Sequence, residues 1–252
     1  MNRLQGKRAL VTGGSRGIGA ATAKRLAADG ADVAITYEKS AERAQAVVAG
    51  IEALGRRAVA IQADSADPVA VRDAVDRAAD AFGGLDILVN NAGIFRAGAL
   101  DDLTLDDIDA TLNVNVRAVI VASQAAARHL GEGGRIVSTG SCLATRVPDA
   151  GMSLYAASKA ALIGWTQGLA RDLGPRGITV NIVHPGSTDI RSARPTASTI
   201  ACRRTAFDSW GRPTRSRQSS SSSMRMPGQC HFSGRRRFGR RGDSCVRSTP
   251  SR

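Results

Sequence analysis

The alternation of two kinds of segment constrains the fold of this chain more than any other feature of its sequence. Six short apolar runs predict buried strands, and the longer stretches between them carry apolar residues at three- and four-residue spacing, which predicts helices. Repeated strand–helix alternation builds right-handed βαβ units, which form a doubly wound parallel sheet with helices on both faces. The predicted strands are 8–12, 32–36, 57–62, 85–90, 134–139 and 178–183, and the predicted helices are 17–29, 41–54, 67–82, 104–130 and 153–173.

Charge divides the chain of 252 residues into two parts. Residues 1–189 hold 20 Lys and Arg against 20 Asp and Glu, whereas residues 190–252 hold 15 Arg, two Asp and no Lys. The net charge of +13 therefore lies entirely in the second part. We predict a single α/β domain over 1–189, incomplete at its C-terminal end, followed by an irregular Arg- and Ser-rich tail over 190–252.

Composition narrows the class of protein. The sequence shows no apolar run of 18 residues and no secretory leader, which favours a cytoplasmic protein without a membrane partner. Four scattered cysteines suit neither a disulfide framework nor a zinc site, so we expect no metal. A cytoplasmic enzyme that acts on a small molecule is the default expectation.

A glycine-rich loop follows the first predicted strand. Residues 12–19 read TGGSRGIG, between the first strand and the first helix of the βαβ series. Glycines at this point allow a tight turn and a close approach of the backbone, and the start of the helix presents free N–H groups to an anion. The loop therefore predicts a dinucleotide site in a Rossmann-type fold. Its predicted contacts are Gly13, Ser15, Arg16, Gly17, Ile18 and Gly19.

The same loop also fits a competing pattern. Residues 13–17 match G-x-S-x-G, the nucleophile elbow of a hydrolase. A catalytic triad would then require a histidine, and His184, after the sixth strand, is the best placed. An oxyanion hole would require an earlier strand and its loop, and no strand precedes this one.

Tyr155 and Lys159 lie four residues apart in the motif YAASK, so a helix brings them to one face. A free tyrosine has a pKa of about 10 and is a poor proton donor at neutral pH. A neighbouring ammonium group favours the phenolate and lowers that pKa. The pair therefore predicts a general acid–base.

Together these motifs resemble the short-chain dehydrogenase/reductase family, and in particular its 3-oxoacyl-carrier-protein reductase-like members. The matching segments occur in family order over about residues 7–189. They are TGGSRGIG at 12–19, NNAG at 90–93, Asn115 in NVNV, Ser141 in STGS, YAASK at 155–159 and Pro185-Gly186.

The resemblance implies a catalytic role for four residues. Tyr155 would be the acid–base, and Lys159 would lower its pKa and hold the nicotinamide ribose. Ser141 would hydrogen-bond the substrate oxygen, and Asn115 would hold a water in a proton relay.

Two of these assignments have neighbours that compete with them. Asn113 competes with Asn115, although the residues around Asn115 match the family better. Cys142 competes with Ser141, which lies 14 residues before Tyr155, one more than is commonest in the family. We favour Ser141 because a thiol is a weak hydrogen-bond donor.

Charges near the end of the second strand bear on the cofactor. An NAD site usually places an acid at this end, whereas here Tyr37 is at the likely position, and Arg16 and Lys39 could pair with a 2′-phosphate. Glu38, next to Lys39, argues against binding of a 2′-phosphate. On balance we favour NADP(H) over NAD(H), and NAD(H) stays open. By the resemblance, the remaining cofactor contacts are Asp64, Ser65, Asn91, Ala92, Gly93, Tyr155, Lys159, Pro185 and Gly186.

Three interpretations of the tail stay open. Its arginines are typical of a nucleic-acid-binding arm, but lysine is absent and aromatic residues are sparse, so a nucleic-acid partner is not favoured. The composition also fits a solvated linker. The third interpretation is out-of-frame translation. Moving the codon boundaries of residues 210–218 by two bases permits Gly-Thr-Pro-Asp-Glu-Val-Ala-Ala, which resembles the family's sequence before its penultimate helix.

The function predicted is an NAD(P)(H)-dependent oxidoreductase that interconverts a carbonyl and an alcohol. The alternative is a catalytically impaired dinucleotide-binding protein whose basic tail contacts nucleic acid. The family forms homo-oligomers, but the sequence lacks a match to the family's last strand. A sheet without that strand has a bare edge, so we predict reduced assembly, stability and turnover.

Overall fold

The computed structural model describes residues 3–186 of the chain. The predicted tail over 190–252, and the predicted domain boundary at residue 189, lie outside the described residues. The strands are β1 (Arg8–Val11), β2 (Asp32–Tyr37), β3 (Ala58–Gln62), β4 (Leu85–Asn90), β5 (Leu130–Thr139) and β6 (Thr179–Val183). The helices are α1 (Gly17–Ala28), α2 (Ala41–Glu52), α3 (Pro68–Phe82), α4 (Leu105–Leu112), α5 (Ala118–His129) and α6 (Ser153–Leu173).

The strands form one parallel sheet in the order β3-β2-β1-β4-β5-β6. The chain builds outward from β1 to β3 and then returns to the other side of β1 with β4. Connections therefore leave β1 and β4 in opposite directions, which opens a crevice beyond the carboxyl ends of these strands. The predicted fold class, a Rossmann-type doubly wound parallel sheet, is confirmed.

Helices cover both faces of the sheet around β1 and β2, as the apolar strands there require, whereas alternate residues of the edge strand β6, including Val183, are exposed. On one face, Leu10, Leu88 and Ile136 pack in a cluster with residues of α3, α5 and α6. On the other face, Val33 and Ile35 pack with residues of α1 and α2. Each fully buried side chain of this size contributes about 1.5–3 kcal/mol to folding. The two layers hold the strand ends, and hence the crevice, in fixed positions.

The predicted helix over 104–130 is found as a continuous helical stretch over 105–129, but a π-helical turn divides it into α4 and α5. Thr104 and Asp107 form a capping box that begins α4. The π-helical turn, Asn113–Arg117, separates α4 from α5. Apolar spacing does not detect a single wide turn, because the helical period resumes on both sides of it. The turn includes Asn115.

Strand β5 begins at Leu130, four residues earlier than predicted. Leu130 pairs with Leu85 of β4, and the register then shifts before Ile87 pairs with Arg135. The intervening residues, GEGG at 131–134, carry no apolar signal that would predict a strand.

Candidate active site

The glycine-rich loop makes a tight turn at the carboxyl end of β1. Gly13 (φ +64°) and Gly17 (φ +56°) adopt left-handed conformations, which favour glycine. A Cβ at Gly13 would lie 2.9 Å from the Cα of Ala92, and one at Gly14 would lie 2.6 Å from the side chain of Ile35. The loop can therefore lie against β2 and β4 only because these side chains are absent.

The loop leads into the N-terminus of α1, where no side chain caps the helix. Arg16 flanks the helix in an extended conformation and is exposed, while Ser15 is half-buried. The first turn, with Gly17, Ile18 and Gly19, contains no acidic residue. The free amides and the helix dipole at such an end attract a phosphate.

Two threonines and an asparagine fix the loop to the neighbouring strands. The Thr12 hydroxyl accepts hydrogen bonds from the backbone amides of Asn91 (2.9 Å) and Ala92 (3.0 Å). The Asn91 side chain donates to the carbonyls of Thr12 (2.9 Å) and Gly13 (3.1 Å). The Gly13 amide donates to the Thr36 hydroxyl at 3.0 Å. The contribution of Thr36 was not predicted, because it depends on the pairing of β1 with β2.

The ends of β2 and β3 form the next part of the crevice. Tyr37 is half-buried, and Lys39 forms an exposed ion pair with Glu38 at 3.0 Å. Asp64 is exposed and accepts a hydrogen bond from the Ala66 amide at 2.8 Å, while Ser65 is half-buried. A cavity of about 330 Å³, including open solvent at its mouth, has a lining that includes Thr12, Thr36, Ser65, Asn90 and Ala92.

Lys159 lies in the first half of α6 with its ammonium group inside the protein. The side chain is only 4% exposed, and its Nζ donates to the Thr139 carbonyl at 3.0 Å. Nζ lies 5.9 Å from the centre of the Tyr155 ring. Burial lowers the pKa of Lys159 from 10.5 to about 8. The group therefore remains mostly cationic at neutral pH.

Tyr155 is half-buried, and its phenol lies close enough to the Ser141 side chain for that hydroxyl to affect its pKa. Burial raises the pKa of Tyr155, the Ser141 hydroxyl opposes this, and nearby Cys142 adds to it. The lowered pKa expected from Lys159 is therefore not found, because burial dominates and the ammonium bonds a carbonyl instead. The ring of Phe95 lies edge-on to Tyr155 with the ring centres 4.8 Å apart.

Ser141 follows β5 and is 8% exposed, whereas its neighbour Cys142 is half-buried. The Ser141 Oγ accepts a hydrogen bond from the Leu143 amide at 3.1 Å. An oxygen that accepts this bond can still donate its own hydrogen. The hydroxyl therefore keeps a hydrogen that it can donate, and it lies near the phenol of Tyr155.

Asn115, in the π-helical turn, is fully buried. Its Oδ1 accepts from the Ile94 amide, and its Nδ2 donates to the Ile94 carbonyl, both at 2.9 Å. Nδ2 also donates to the Ser158 hydroxyl at 3.0 Å, and that hydroxyl donates to the Tyr155 carbonyl at 2.7 Å. Asn113 is half-buried, and its Oδ1 faces Arg117 at 3.4 Å. The role of Ser158 was not predicted, although it lies inside YAASK.

Gly93 allows Asn115 and Lys159 to pack closely against the backbone that follows β4. A Cβ at this position would lie 3.2 Å from the Asn115 Oδ1 and 3.3 Å from the Lys159 Nζ. The structure thus provides an uncapped helix end for phosphates and a buried ammonium beside the backbone that follows β4. The residues present fit a nicotinamide dinucleotide.

The end of β6 closes the site behind Ser141. Pro185 and Gly186 are half-buried, and the Pro185 carbonyl accepts a hydrogen bond from the Cys142 amide at 3.1 Å. His184 bonds the Ser141 backbone. The hydrolase alternative is wrong, because Ser15 follows β1, His184 follows β6, and β4 and β5 lie between these strands.

Two further findings concern residues 3–186 only. The structure has no group of three His, Cys, Asp or Glu side chains in this range that could hold a metal ion. None of its helices here has the length and apolar character needed to cross a membrane.

Comparison with known proteins gives a consistent result. A family model described as short chain dehydrogenase matches residues 7–200. A solved short chain dehydrogenase from Burkholderia cenocepacia J2315, in complex with NADP, is 92% identical, with a TM-score of 0.75. That match covers 79% of this chain and 82% of the solved one.

Two curated relatives match over a similar length. The cyclic-di-GMP-binding biofilm dispersal mediator protein of Escherichia coli K12 is 49% identical over 189 residues, covering 75% of this chain and 76% of the relative. A versicolorin reductase of Emericella nidulans is 45% identical over 185 residues, covering 73% and 70% respectively.

Proposed function

Because the chain belongs to the short-chain dehydrogenase/reductase family, whose members are NAD(P)-dependent oxidoreductases, we propose that it reduces a carbonyl substrate to an alcohol and catalyses the reverse reaction. The observation that carries this proposal is the position of Tyr155, near Ser141 and with its ring centre 5.9 Å from the buried ammonium of Lys159.

Each side chain has a distinct task in the proposed reduction. Tyr155 donates its phenolic proton to the carbonyl oxygen as that oxygen becomes an alcohol. The Ser141 hydroxyl donates a hydrogen bond to the same oxygen and stabilises its developing negative charge. The Lys159 cation stabilises the phenolate that remains on Tyr155. The bound nicotinamide would supply the hydride that the carbonyl carbon requires.

Asn115 supports this arrangement from inside the π-helical turn. Its side chain is engaged by Ile94 and Ser158, which fixes the backbone next to Gly93. A relay water that returns a proton to Tyr155 would therefore be held by the main-chain carbonyl of Asn115. This assignment keeps the predicted relay and names the atom of Asn115 that would serve it.

We further propose a preference for NADP(H). Arg16 is exposed beside the helix end and has no acidic partner within residues 3–186, whereas Lys39 is paired with Glu38. Arg16 is therefore the stronger candidate to bind a 2′-phosphate. The similar protein of Burkholderia cenocepacia holds NADP, which supports this assignment.

An apolar ring beside Tyr155 favours an apolar substrate. Phe95 is 56% exposed although its ring contacts Tyr155. One relative bears the name versicolorin reductase. An aromatic ketone is the substrate class that these observations support best, and a 3-oxoacyl thioester is the class implied by the predicted 3-oxoacyl-carrier-protein reductase-like subtype.

The test is NADPH oxidation by the purified chain with both substrate classes. We expect turnover in the wild type, and no turnover in Tyr155→Phe with its NADPH affinity retained. Ser15→Ala should leave Tyr155-dependent turnover detectable. Tight NADPH binding without any carbonyl reduction, together with salt-sensitive DNA binding, would favour the alternative of an impaired dinucleotide-binding protein.

The cofactor preference has a matched pair of variants. Arg16→Ala should raise the Kd for NADPH by about 10-fold, the loss of one charge-assisted contact, and leave the Kd for NADH unchanged. Lys39→Ala is the control, because its ammonium already has Glu38 as a partner. Equal effects of Arg16→Ala on both cofactors would contradict the assignment.

A further inference from the structure

At the end of the hydrogen-bond ladder between β5 and β6, the side chain of His184 bonds the backbone of Ser141. The Gly140 amide donates to the Val183 carbonyl at 2.8 Å, and the Cys142 amide donates to the Pro185 carbonyl at 3.1 Å. Between these two bonds, the His184 side chain reaches the Ser141 backbone. Pro185 has no N–H with which to continue the ladder. The imidazole thus adds a bond where the chain provides no further donor.

One ring nitrogen makes both contacts with Ser141. The Nδ1 of His184 lies 2.8 Å from the Ser141 carbonyl oxygen and 3.2 Å from the Ser141 amide nitrogen. A protonated Nδ1 donates to the carbonyl, and an unprotonated Nδ1 accepts from the amide. The shorter distance favours donation to the carbonyl, so Nδ1 carries the hydrogen in the neutral ring. The other nitrogen, Nε2, takes no part in this contact.

The surrounding backbone is shaped to hold the ring. A Cβ added at Gly140 would lie 2.7 Å from the His184 Nδ1, 2.9 Å from its Cε1 and 3.0 Å from the Ile182 Cδ1. These distances leave no room for any side chain at residue 140. Glycine there allows the imidazole to pack directly against the backbone that precedes Ser141.

The segment that His184 fixes also carries groups of the proposed active site. The Ser141 Oγ accepts from the Leu143 amide at 3.1 Å and lies near the phenol of Tyr155. Two residues before Ser141, the Thr139 carbonyl accepts from the Lys159 Nζ at 3.0 Å. A shift of about 1 Å in this segment would misplace the hydroxyl relative to the reacting oxygen, and such errors cost about 100-fold in rate.

We propose that His184 is a positioning residue for Ser141: its Nδ1 locks the Ser141 backbone, and thereby aims the Ser141 hydroxyl at the substrate oxygen. This inference rests on the proposed carbonyl reduction. The histidine does not touch substrate, so its effect should fall on the rate of the reaction and leave the affinity for the cofactor unchanged.

Three substitutions separate the two ring nitrogens. Asparagine places a polar atom close to the position of Nδ1, glutamine places one close to Nε2, and phenylalanine keeps the ring without either. We expect His184→Phe and His184→Gln to lower kcat for ketone reduction by about 10- to 100-fold, the usual effect of losing an orienting partner, with an unchanged Kd for NADPH. His184→Asn should recover most of that loss.

A double variant distinguishes positioning from general support of the fold. If His184 acts through Ser141, adding His184→Phe to Ser141→Ala should lower kcat by less than 2-fold further, since interacting residues are not additive. A full, multiplicative loss would overturn the inference, as would equal losses in the Asn and Phe variants. If His184→Phe does not fold, the comparison of His184→Asn with His184→Gln decides the same point.

Failure of the inference differs from failure of the proposed function. A wild-type chain that reduces no carbonyl with NADPH would refute the proposed function itself. If the wild type reduces carbonyls and the His184→Phe and His184→Gln variants are equally fast, only the role of the histidine would be refuted.

Discussion

Replacement of Lys159 by methionine should stabilise the folded chain while removing its activity. The ammonium is 4% exposed, and burial lowers its pKa from 10.5 to about 8. At ~1.36 kcal/mol for each pKa unit, a depression of this size means that the charged group opposes folding by about 3 kcal/mol at pH 7. Methionine has a similar length and no charge, so it removes this cost.

The same substitution also removes a favourable contact. The Lys159 Nζ donates to the Thr139 carbonyl at 3.0 Å, and the loss of such a bond costs about 1 kcal/mol. The net expectation at pH 7 is a gain of about 2 kcal/mol in the free energy of unfolding, the difference between the two effects. Carbonyl reduction should fall to background, because no cation then stabilises the phenolate of Tyr155.

The pH dependence identifies the cause. Between the folded pKa of about 8 and the unfolded value near 10.5, the unfolded chain binds more protons, so the wild type gains stability as the pH rises. At pH 10 the remaining cost of the charge is less than about 1 kcal/mol, and the advantage of the variant should vanish.

Urea unfolding of wild type and Lys159→Met at pH 7 and pH 10, followed by circular dichroism, measures both quantities. Groups other than Lys159 titrate in both proteins, so their effects cancel in the difference. A variant that is less stable than wild type at pH 7, or an advantage that does not change with pH, would refute the reasoning.

Three further outcomes are expected from the geometry of the site. Thr36→Val leaves the Gly13 amide without its 3.0 Å acceptor, so the Kd for NADPH should rise by about 10-fold in a fluorescence titration, the effect of about 1.4 kcal/mol; an unchanged Kd would contradict the role of this hydroxyl. Phe95→Ala removes the ring that contacts Tyr155, so KM for an aromatic ketone should rise at least about 5-fold, the effect of losing one apolar contact. The KM for a small aliphatic ketone should change little. Equal increases in both KM values would show that the ring does not select the substrate. The kcat/KM for NADPH, which reports on the free enzyme, should decline above about pH 8, because Lys159, whose pKa is about 8, loses its charge there, whereas Tyr155, whose pKa is raised, stays protonated; a profile that is flat to pH 10 would be inconsistent with a need for that charge.

The parts of the fold and site that were predictable depend on local sequence. Apolar spacing identified all six described strands and placed the ends of most elements within two residues. The glycine-rich loop was recognisable because its glycines and the helix that follows are neighbours in the chain. The shared face of Tyr155 and Lys159 followed from their spacing on α6, and only their environment was missing.

The features that sequence did not provide depend on strand order and on burial. The predicted lowering of the Tyr155 pKa was wrong, because spacing reveals a nearby cation but not the burial that outweighs it. Thr36 contacts Gly13 only because β2 lies beside β1, and His184 contacts Ser141 only because β6 lies beside β5. The π-helical turn around Asn115 is a local change that the helical period does not record.

The Thr12 hydroxyl, which holds the two successive amides of Asn91 and Ala92, joins segments almost 80 residues apart in the chain. A connection of this length closes late during folding, after local helices have formed, because the entropy of the intervening chain opposes it. Refolding from urea should therefore restore helical circular dichroism before it restores NADPH binding. The recovery of cofactor affinity would then report when the tertiary structure of this protein is complete.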